Sequence, residues 1–350
     1  MKIGIITVYH ASNFGAYLQA YALKRAMEHM GHDVFHIETK SEKKIRRGYF
    51  KYPATRRSFK HPIEEFQKYL YGKKKYDIFK KEQQVFVVIP ETEAEHMDRI
   101  IIGSDELWNI SEEKFRHPLY FGAGLEYVLT YGISIGRAKK KDFLIHPEFL
   151  TWIKNIHQIL VRDKKTQLFV KESTGKMPPM VCDPTFLIPL KEMIHLCHDP
   201  YIKNHSYILV YTYEFIMGNK IKEHIIRYAK EKNLKIVSVG FFFAWCDYNL
   251  NCGPLEFSDV IRYAQCMVTT TFHGSIFALL NHQRFLVEPF SPKVNDVLEK
   301  VGIPEVAIPS DISYEQFCSR MDQQDLDYQM VDRNVMKMRK ESLELLKQYM

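Results

Sequence analysis

The chain opens on Lys2 to Val8, KIGIITV, an unbroken β-branched run of the kind buried on both faces of a parallel sheet. The period then changes. In HASNFGAYLQAYALKRAMEHMGHD a turn with Ser12, Asn13 and Gly15 leads into Leu18, Tyr21, Ala22, Ala26 and Met30, spaced as on one face of a helix. Gly31 ends that helix, and Val34 to Ile37 resumes as a strand, which completes a βαβ unit. Further strands are predicted over Arg99 to Gly103 and Tyr127 to Ile135. Ile153 to Arg162 reads as helix or strand, and Pro178 to Pro189 as a strand and linker. A fresh buried strand begins near Tyr207 in SYILVYTY. A helix from Gly218 to Lys232, a strand from Lys235 to Val239, a helix from Glu256 to Cys266 and a strand from Met267 to Thr270 are predicted after it. A helix from Ser275 to Leu280 and a short strand from Arg284 to Val287 complete the series. The amphipathic stretch Val331 to Tyr349 is expected to pack as a closing helix.

This repeated βαβα alternation implies an α/β protein with two Rossmann-like domains facing a cleft, a GT-B-like arrangement. The expected division is 1–200 with a basic insertion near 40–81, then 201–330, then a C-terminal helix over 331–350. A length of 350 residues is too great for one ordinary core and suits two.

Composition narrows the picture only in places. With 46% hydrophobic and 26% charged residues the chain reads as packed and globular, and its high aromatic share serves first as core filler and second as stacking surface for sugar rings. The net charge of +7 favours anionic partners without choosing among them. Much of the excess lies between Lys40 and Lys81, in Lys43, Lys44, Arg46, Arg47, Arg56, Arg57, Lys73, Lys74 and Lys75. That segment fits a solvated helical insertion, or a surface that meets a phosphorylated or lipid-linked acceptor at a membrane face. The six cysteines have no CxxC spacing, as suits reduced thiols; His195, Cys197 and His198 lack a second ligand pair, so no metal is expected. No signal-peptide pattern and no membrane-length apolar run occurs, so a cytoplasmic protein is expected, with the inner face of the membrane within reach of the basic segment. No basic stripe interleaved with aromatics points to nucleic acid.

Candidate chemistry clusters where predicted strands end. The first turn lacks GxGxxG spacing, which argues against a dinucleotide site, yet backbone amides at the helix start could hold an anion. Asn13, Gly15 and Gln19 place a polar face there for hydroxyls or phosphate. His273, in TTTFHGSIFALL, sits where a strand gives way to a helix; Gly274 allows close backbone approach and Ser275 can cap the helix. By itself such a histidine fits a turn equally well. Arg162 ends an apolar run, so its fork could meet a carboxylate or phosphate, or join ordinary surface charge with Asp163. Asp105 and Trp108 in GSDELWN pair a carboxylate with an aromatic plane for a sugar, or a capping Asp with a core Trp. Lys293, in FSPKVNDVL, is a long cation beyond the last strand.

Taken together these segments resemble, in order and content, the polysaccharide pyruvyl transferase family. KIGIITVYHASNFGAYLQAYAL looks like its opening strand, turn and helix, and IIGSDELWN like its GSDxxWN loop. TYGISIG, VRDKKT and CDPTFLI are similar to later elements, and GPLEFSDVIRYAQCMVTTTFHGSIFALLNHQRFLV to the most specific block. The sequence departs from the pattern at Asp163, Leu160 and Glu106, and at Asn281 and His282 after His273. The resemblance implies transfer of a pyruvyl group from phosphoenolpyruvate, as co-substrate and without a cofactor, to a sugar or glycan acceptor, with a ketal as product. It further implies that His273 is the catalytic or donor-binding histidine and that Arg162, with Lys293, grips the donor's anionic groups. Two rival readings stay open: a GT-B glycosyltransferase using a nucleotide sugar, and a non-catalytic scaffold of a glycan pathway.

Overall fold

The computed structural model describes residues 1–39, 61–213 and 215–350. Lys43, Lys44, Arg46, Arg47, Arg56 and Arg57 lie outside the described residues. The described part of the basic insertion is a helix, Pro62–Glu82, which carries Lys73, Lys74 and Lys75.

Two five-stranded parallel sheets are built from successive stretches of chain. Strands β1 (Lys2–Ile6), β2 (Asp33–Glu38), β3 (Val88–Pro90), β4 (Arg99–Ile102) and β5 (Val128–Thr130) form the first, in the order β3-β2-β1-β4-β5. Strands β6 (Tyr207–Tyr211), β7 (Lys235–Val239), β8 (Tyr248–Leu250), β9 (Cys266–Thr269) and β10 (Phe285–Val287) form the second, in the order β10-β9-β6-β7-β8. Both sheets therefore share one topology, and each reverses its winding next to its first strand: between β1 and β4, and between β6 and β9. Crevices for ligands open at such reversals, beyond the carboxyl ends of the strands. The register fixes which loops share an end: Ile6 lies opposite Ile102, and Tyr211 opposite Thr269.

Periodicity located the long elements because burial produced the periodicity. The helix Phe14–His29 buries Leu18, Ala22 and Ala26 and is capped by Asn13, whose side chain accepts from the Ala16 N–H at 3.0 Å. Where apolar runs were short the reading failed. β3 and β8 are three-residue edge strands (VIP and YNL) with too little alternation to register, and the helices Pro292–Val301 and Tyr314–Asp322 were not predicted. The strand expected over Tyr127 to Ile135 stops at Thr130 and continues only as single parallel bridges, Ile133 to Val161 and Val161 to Met180. Ile153 to Arg162 is likewise the end of the helix Pro147–Asn155 followed by an extended segment.

The halves are joined by packing as well as by chain. Phe14 of the first half stacks on Phe257 of the second at 4.6 Å between centroids and meets Tyr211 edge-on at 5.7 Å. Tyr71, on the insertion helix, donates its hydroxyl to the Leu250 carbonyl at 2.9 Å. The last helix, Tyr328–Tyr349, returns from the second half to the first: Ser342 accepts from the Cys182 N–H at 2.9 Å, and Arg339 donates to the Phe186 and Ile188 carbonyls. Among the described residues no helix is long and apolar enough to cross a membrane. No group of three or more His, Cys, Asp and Glu side chains there could hold a metal ion.

Candidate active site

The helix after β9 begins at Phe272, three residues before the predicted start, because Thr271 takes the N-cap: its side chain accepts from the Gly274 N–H at 2.9 Å. Ser275 is therefore not the cap; its hydroxyl donates to the Thr271 carbonyl at 3.0 Å and stays inside the helix. The turn is tight enough to demand glycine at 274, where a Cβ would lie 2.2 Å from the Thr269 hydroxyl oxygen and 2.6 Å from that of Thr271. His273 occupies the first helical turn. Facing it is the first turn of the helix Phe14–His29, and a Cβ on Gly15 would lie 2.1 Å from His273 Nδ1. Two helix starts, one from each half, thus meet across a single imidazole.

The other ring nitrogen, Nε2, lies 3.5 Å from Asp183 Oδ2. Asp183 caps the short turn Pro184–Phe186: its Oδ1 accepts from the Thr185 N–H at 3.1 Å and hydroxyl at 2.7 Å. Its Oδ2 also receives Arg162 Nη1 at 2.6 Å, while Arg162 Nη2 lies 3.4 Å from Asp105 Oδ1. His273, Asp183, Arg162 and Asp105 form one chain of contacts between the two halves. Burial alone would raise the Asp183 carboxyl, but His273 and Arg162 outweigh it and hold the group well below the usual carboxylate range. Asp105 is also lowered: burial opposes, and Arg162, Lys293 and His273 prevail. Burial disfavours the Arg162 charge, yet Asp183 and Asp105 raise it above the ordinary guanidinium value. Asp105 sits at φ 95°, a conformation that non-glycine residues rarely hold and that recurs where a loop must aim a side chain.

Lys293 closes the other wall. It lies in the first turn of the helix Pro292–Val301, with Nζ 2.6 Å from Glu106 Oε1 and 5.2 Å above the centre of the Phe272 ring. The cleft between the sheets has a volume of about 730 Å³, and His273, Asp105, Lys293, Asn13, Tyr213 and Phe290 are among its walls. A smaller cavity of about 350 Å³ lies behind, against the last helix, bordered by Arg162, Asp183, Lys300 and Lys337. Phe272 and Lys293 line both.

The residues singled out in the sequence divide accordingly. His273, Lys293, Asn13 and Asp105 line the cleft, and Gly15 abuts the imidazole. Arg162 reaches the same carboxylate as His273, but its guanidinium is enclosed, with both terminal nitrogens turned to carboxylates rather than free for a ligand. Gln19 and Trp108 are not cleft residues. Gln19 is fully buried, donating to Thr7 Oγ1 at 2.8 Å and accepting the Ser104 N–H at 3.2 Å, so it ties the loops after β1 and β4 together. Trp108 is core: its Nε1–H donates to the Tyr120 carbonyl at 2.8 Å, and its ring stacks on Phe121. Asp183 was missed as a site residue, although CDPTFLI had drawn notice; an Asp-Pro-Thr run is the sequence of a capped turn and does not by itself tell a cap from a charge partner. Asp163 was also passed over. Its Oδ1 caps the helix Lys164–Thr174 through Thr166, and its buried Oδ2 has no hydrogen-bond partner among the described residues.

Comparison with solved structures agrees on the fold. The chain is similar to MnaA of S. aureus in complex with UDP (12% identity, TM-score 0.53, 95% of this chain and 90% of that one covered). It is similar to a putative UDP-N-acetylglucosamine 2-epimerase from Listeria monocytogenes (10% identity, TM-score 0.53, 95% and 90% covered). The glycyrrhetinic acid 3-O-monoglucuronide complex of UGT73P12 from Glycyrrhiza uralensis also aligns (10% identity, TM-score 0.51, 98% and 91% covered). At these identities the likeness establishes a GT-B architecture of two parallel-sheet α/β domains and nothing finer. No curated protein matches the chain. The polysaccharide pyruvyl transferase family model matches residues 13–288, a span that runs from the Asn13 cap to the end of β10 and contains His273, Asp183 and Arg162. The chain therefore belongs to the polysaccharide pyruvyl transferase family.

Proposed function

We propose that this protein transfers the pyruvyl group of phosphoenolpyruvate to two hydroxyls of one sugar residue in a glycan or its precursor, giving a cyclic ketal and inorganic phosphate. The observation that carries the reading is the imidazole of His273, held at the cleft between the two halves with a buried carboxylate behind it. A histidine at the cleft whose Nε2 lies 3.5 Å from Asp183 Oδ2 supports a part in proton transfer.

In this scheme His273 protonates the methylene carbon of the enol, and C2 becomes the electrophile. A first acceptor hydroxyl adds to C2, and its proton restores the imidazolium. The bond from C2 to the phosphate oxygen then breaks, a second hydroxyl adds, and its proton leaves with the phosphate. Atoms and protons balance with one phosphoenolpyruvate and two hydroxyls consumed. Lys293 lines the cleft with its Nζ 5.2 Å over the ring of Phe272, the neighbour of His273, and we assign it to the donor's carboxylate or phosphate. Arg162, enclosed as it is, acts through the carboxylates it holds: it fixes Asp183 against His273 and Asp105 at the cleft wall.

Incubation with phosphoenolpyruvate and a panel of saccharides, with phosphate release and product mass followed together, tests the proposal; phosphate without ketal mass would count against it. The rival is a nucleotide-sugar glycosyltransferase of the same fold, and the likeness to UDP-bound MnaA bears on the fold alone. Thermal shift separates the two, since only a ligand of the native state raises the melting point. Stabilisation by UDP-sugars with no response to phosphoenolpyruvate would favour the rival.

A further inference from the structure

We infer that the cleft has a second anion subsite, formed by Arg137, Lys139 and Lys165, which receives the phosphate of a phosphorylated sugar acceptor. The inference rests on the proposed reaction for the word acceptor, but the subsite itself stands on its own geometry.

Most charges of the cleft wall sort into pairs, and the remainder is three cations together with the carboxylates Asp163 and Asp296. Asp105 faces Arg162, Glu106 faces Lys293 at 2.6 Å, and Glu112 faces Lys114 at 2.7 Å. Arg137, Lys139 and Lys165 line the same cleft, and among the described residues none of them has a carboxylate within ion-pair distance. They are held together by local structure. Arg137 and Lys139 follow the Gly136 turn, and Lys165, in the first turn of the helix Lys164–Thr174, donates to the Gly136 carbonyl at 2.7 Å. Burial lowers the Lys165 pKa and the neighbouring Lys139 lowers it further, while Asp163 and Glu106 pull the other way. Asp163, Glu106 and Asp142 act on Lys165 without coming within ion-pair distance, so three neighbouring cations are left to a bound anion.

The opposite wall states what accompanies the anion. The Arg137 guanidinium lies 4.5 Å over the ring of Phe290, a residue of the second half, and Tyr213 packs beside that ring at 6.2 Å between centroids. Both aromatics line the cleft and keep more than a third of their surface exposed. An aromatic wall facing a cationic corner suits a sugar ring with a phosphate attached, the ring on Phe290 and Tyr213 and the phosphate on the cations. At about 730 Å³ the cleft is within the usual range for small-molecule sites and leaves room beside His273 for the donor. The phosphate could belong to a free sugar phosphate or to a lipid-linked saccharide.

Isothermal titration with glucose 1-phosphate and with glucose, on wild type and on Lys139→Glu/Lys165→Glu, tests this. We expect glucose 1-phosphate to bind wild type more tightly than glucose, and the double variant to lose about tenfold or more of that affinity. The variant should keep its thermal response to phosphoenolpyruvate; Lys139→Glu alone serves if the double variant melts early. Equal affinity for glucose and glucose 1-phosphate, an unchanged variant, or full displacement of glucose 1-phosphate by phosphoenolpyruvate would overturn the subsite. Phosphatidylcholine vesicles carrying a polyprenyl phosphate separate the sources: their capture by wild type and not by the variant assigns the lipid-linked form, and binding of glucose 1-phosphate alone assigns the free one. Failure of wild type to respond to phosphoenolpyruvate sinks the proposed reaction and leaves the subsite intact.

Discussion

Gly15→Ala is the most discriminating single substitution at this site. Inside a helix the change ordinarily stabilises, by up to about 1 kcal/mol, because alanine has less freedom to lose on folding. Here the added Cβ would fall 2.1 Å from His273 Nδ1 and 2.5 Å from Cγ. A comfortable separation is about 3.5 Å or more, so the ring has to retreat by over about 1 Å. His273 Nε2 already lies 3.5 Å from Asp183 Oδ2, and a shift of that size changes the imidazole's relation to its carboxylate. Overpacking costs about 1–3 kcal/mol, which the helix gain partly offsets, so the net loss of stability is expected at about 0–2 kcal/mol. Misplacement by about 1 Å costs a positioned group on the order of a hundredfold in rate. The expected outcome is a folded protein whose ketal formation falls about a hundredfold while its melting temperature drops only a few degrees. Melting curves and initial rates of phosphate release measure both. Turnover within about threefold of wild type, with the His273 imidazole resonances unmoved, would refute the reasoning, since the contact would then place no constraint on the ring.

Asp183→Asn leaves a buried guanidinium with Asp105 as its remaining ion-pair partner among the described residues, and a loss of about 3–5 kcal/mol is expected in urea titration. An unchanged midpoint would show that Asp183 does not hold Arg162. Asp183 and Asp105 are both held below the ordinary carboxylate value, so the unfolded chain binds more protons than the folded one at low pH. Their stabilisation is complete above about pH 4 and is lost as pH falls through their folded values, giving an acid limb that Asp183→Asn should flatten. Greater stability at pH 3 than at pH 6 would reverse the assignment. Trp108→Phe removes the donor to Tyr120, and a loss of about 1–3 kcal/mol is expected with the thermal response to phosphoenolpyruvate intact. Loss of that response without destabilisation would return Trp108 to the cleft.

Long elements were legible because their apolar periods record what they bury, as in Leu18, Ala22 and Ala26 of the first helix or the continuous YILVY of β6. β3 and β8 were not, since three residues at a sheet edge carry no period. His273 could be picked out from its place between strand and helix together with the family resemblance. Its partner could not: Asp183 lies ninety residues away in sequence, and only the packing of the two halves brings it to 3.5 Å. Trp108 and Gln19 misled for a related reason, because a polar or aromatic residue after a strand has the same spelling whether it turns toward the cleft or into the core. The charge pairs decided the rest. Which cations of the cleft are neutralised, and which are left over, depends on contacts such as Lys293 with Glu106 that join residues almost two hundred positions apart.

The return of the helix Tyr328–Tyr349 to the first half bears on how the protein is made. Its Ser342 anchors the amide of Cys182, the immediate neighbour of Asp183. A growing polypeptide folds from its amino-terminal side, so both sheets can emerge and collapse before this anchor leaves the ribosome. The segment that carries Asp183 is consequently braced late, and a nascent chain carrying every residue of the cleft lacks that brace until translation has passed residue 342.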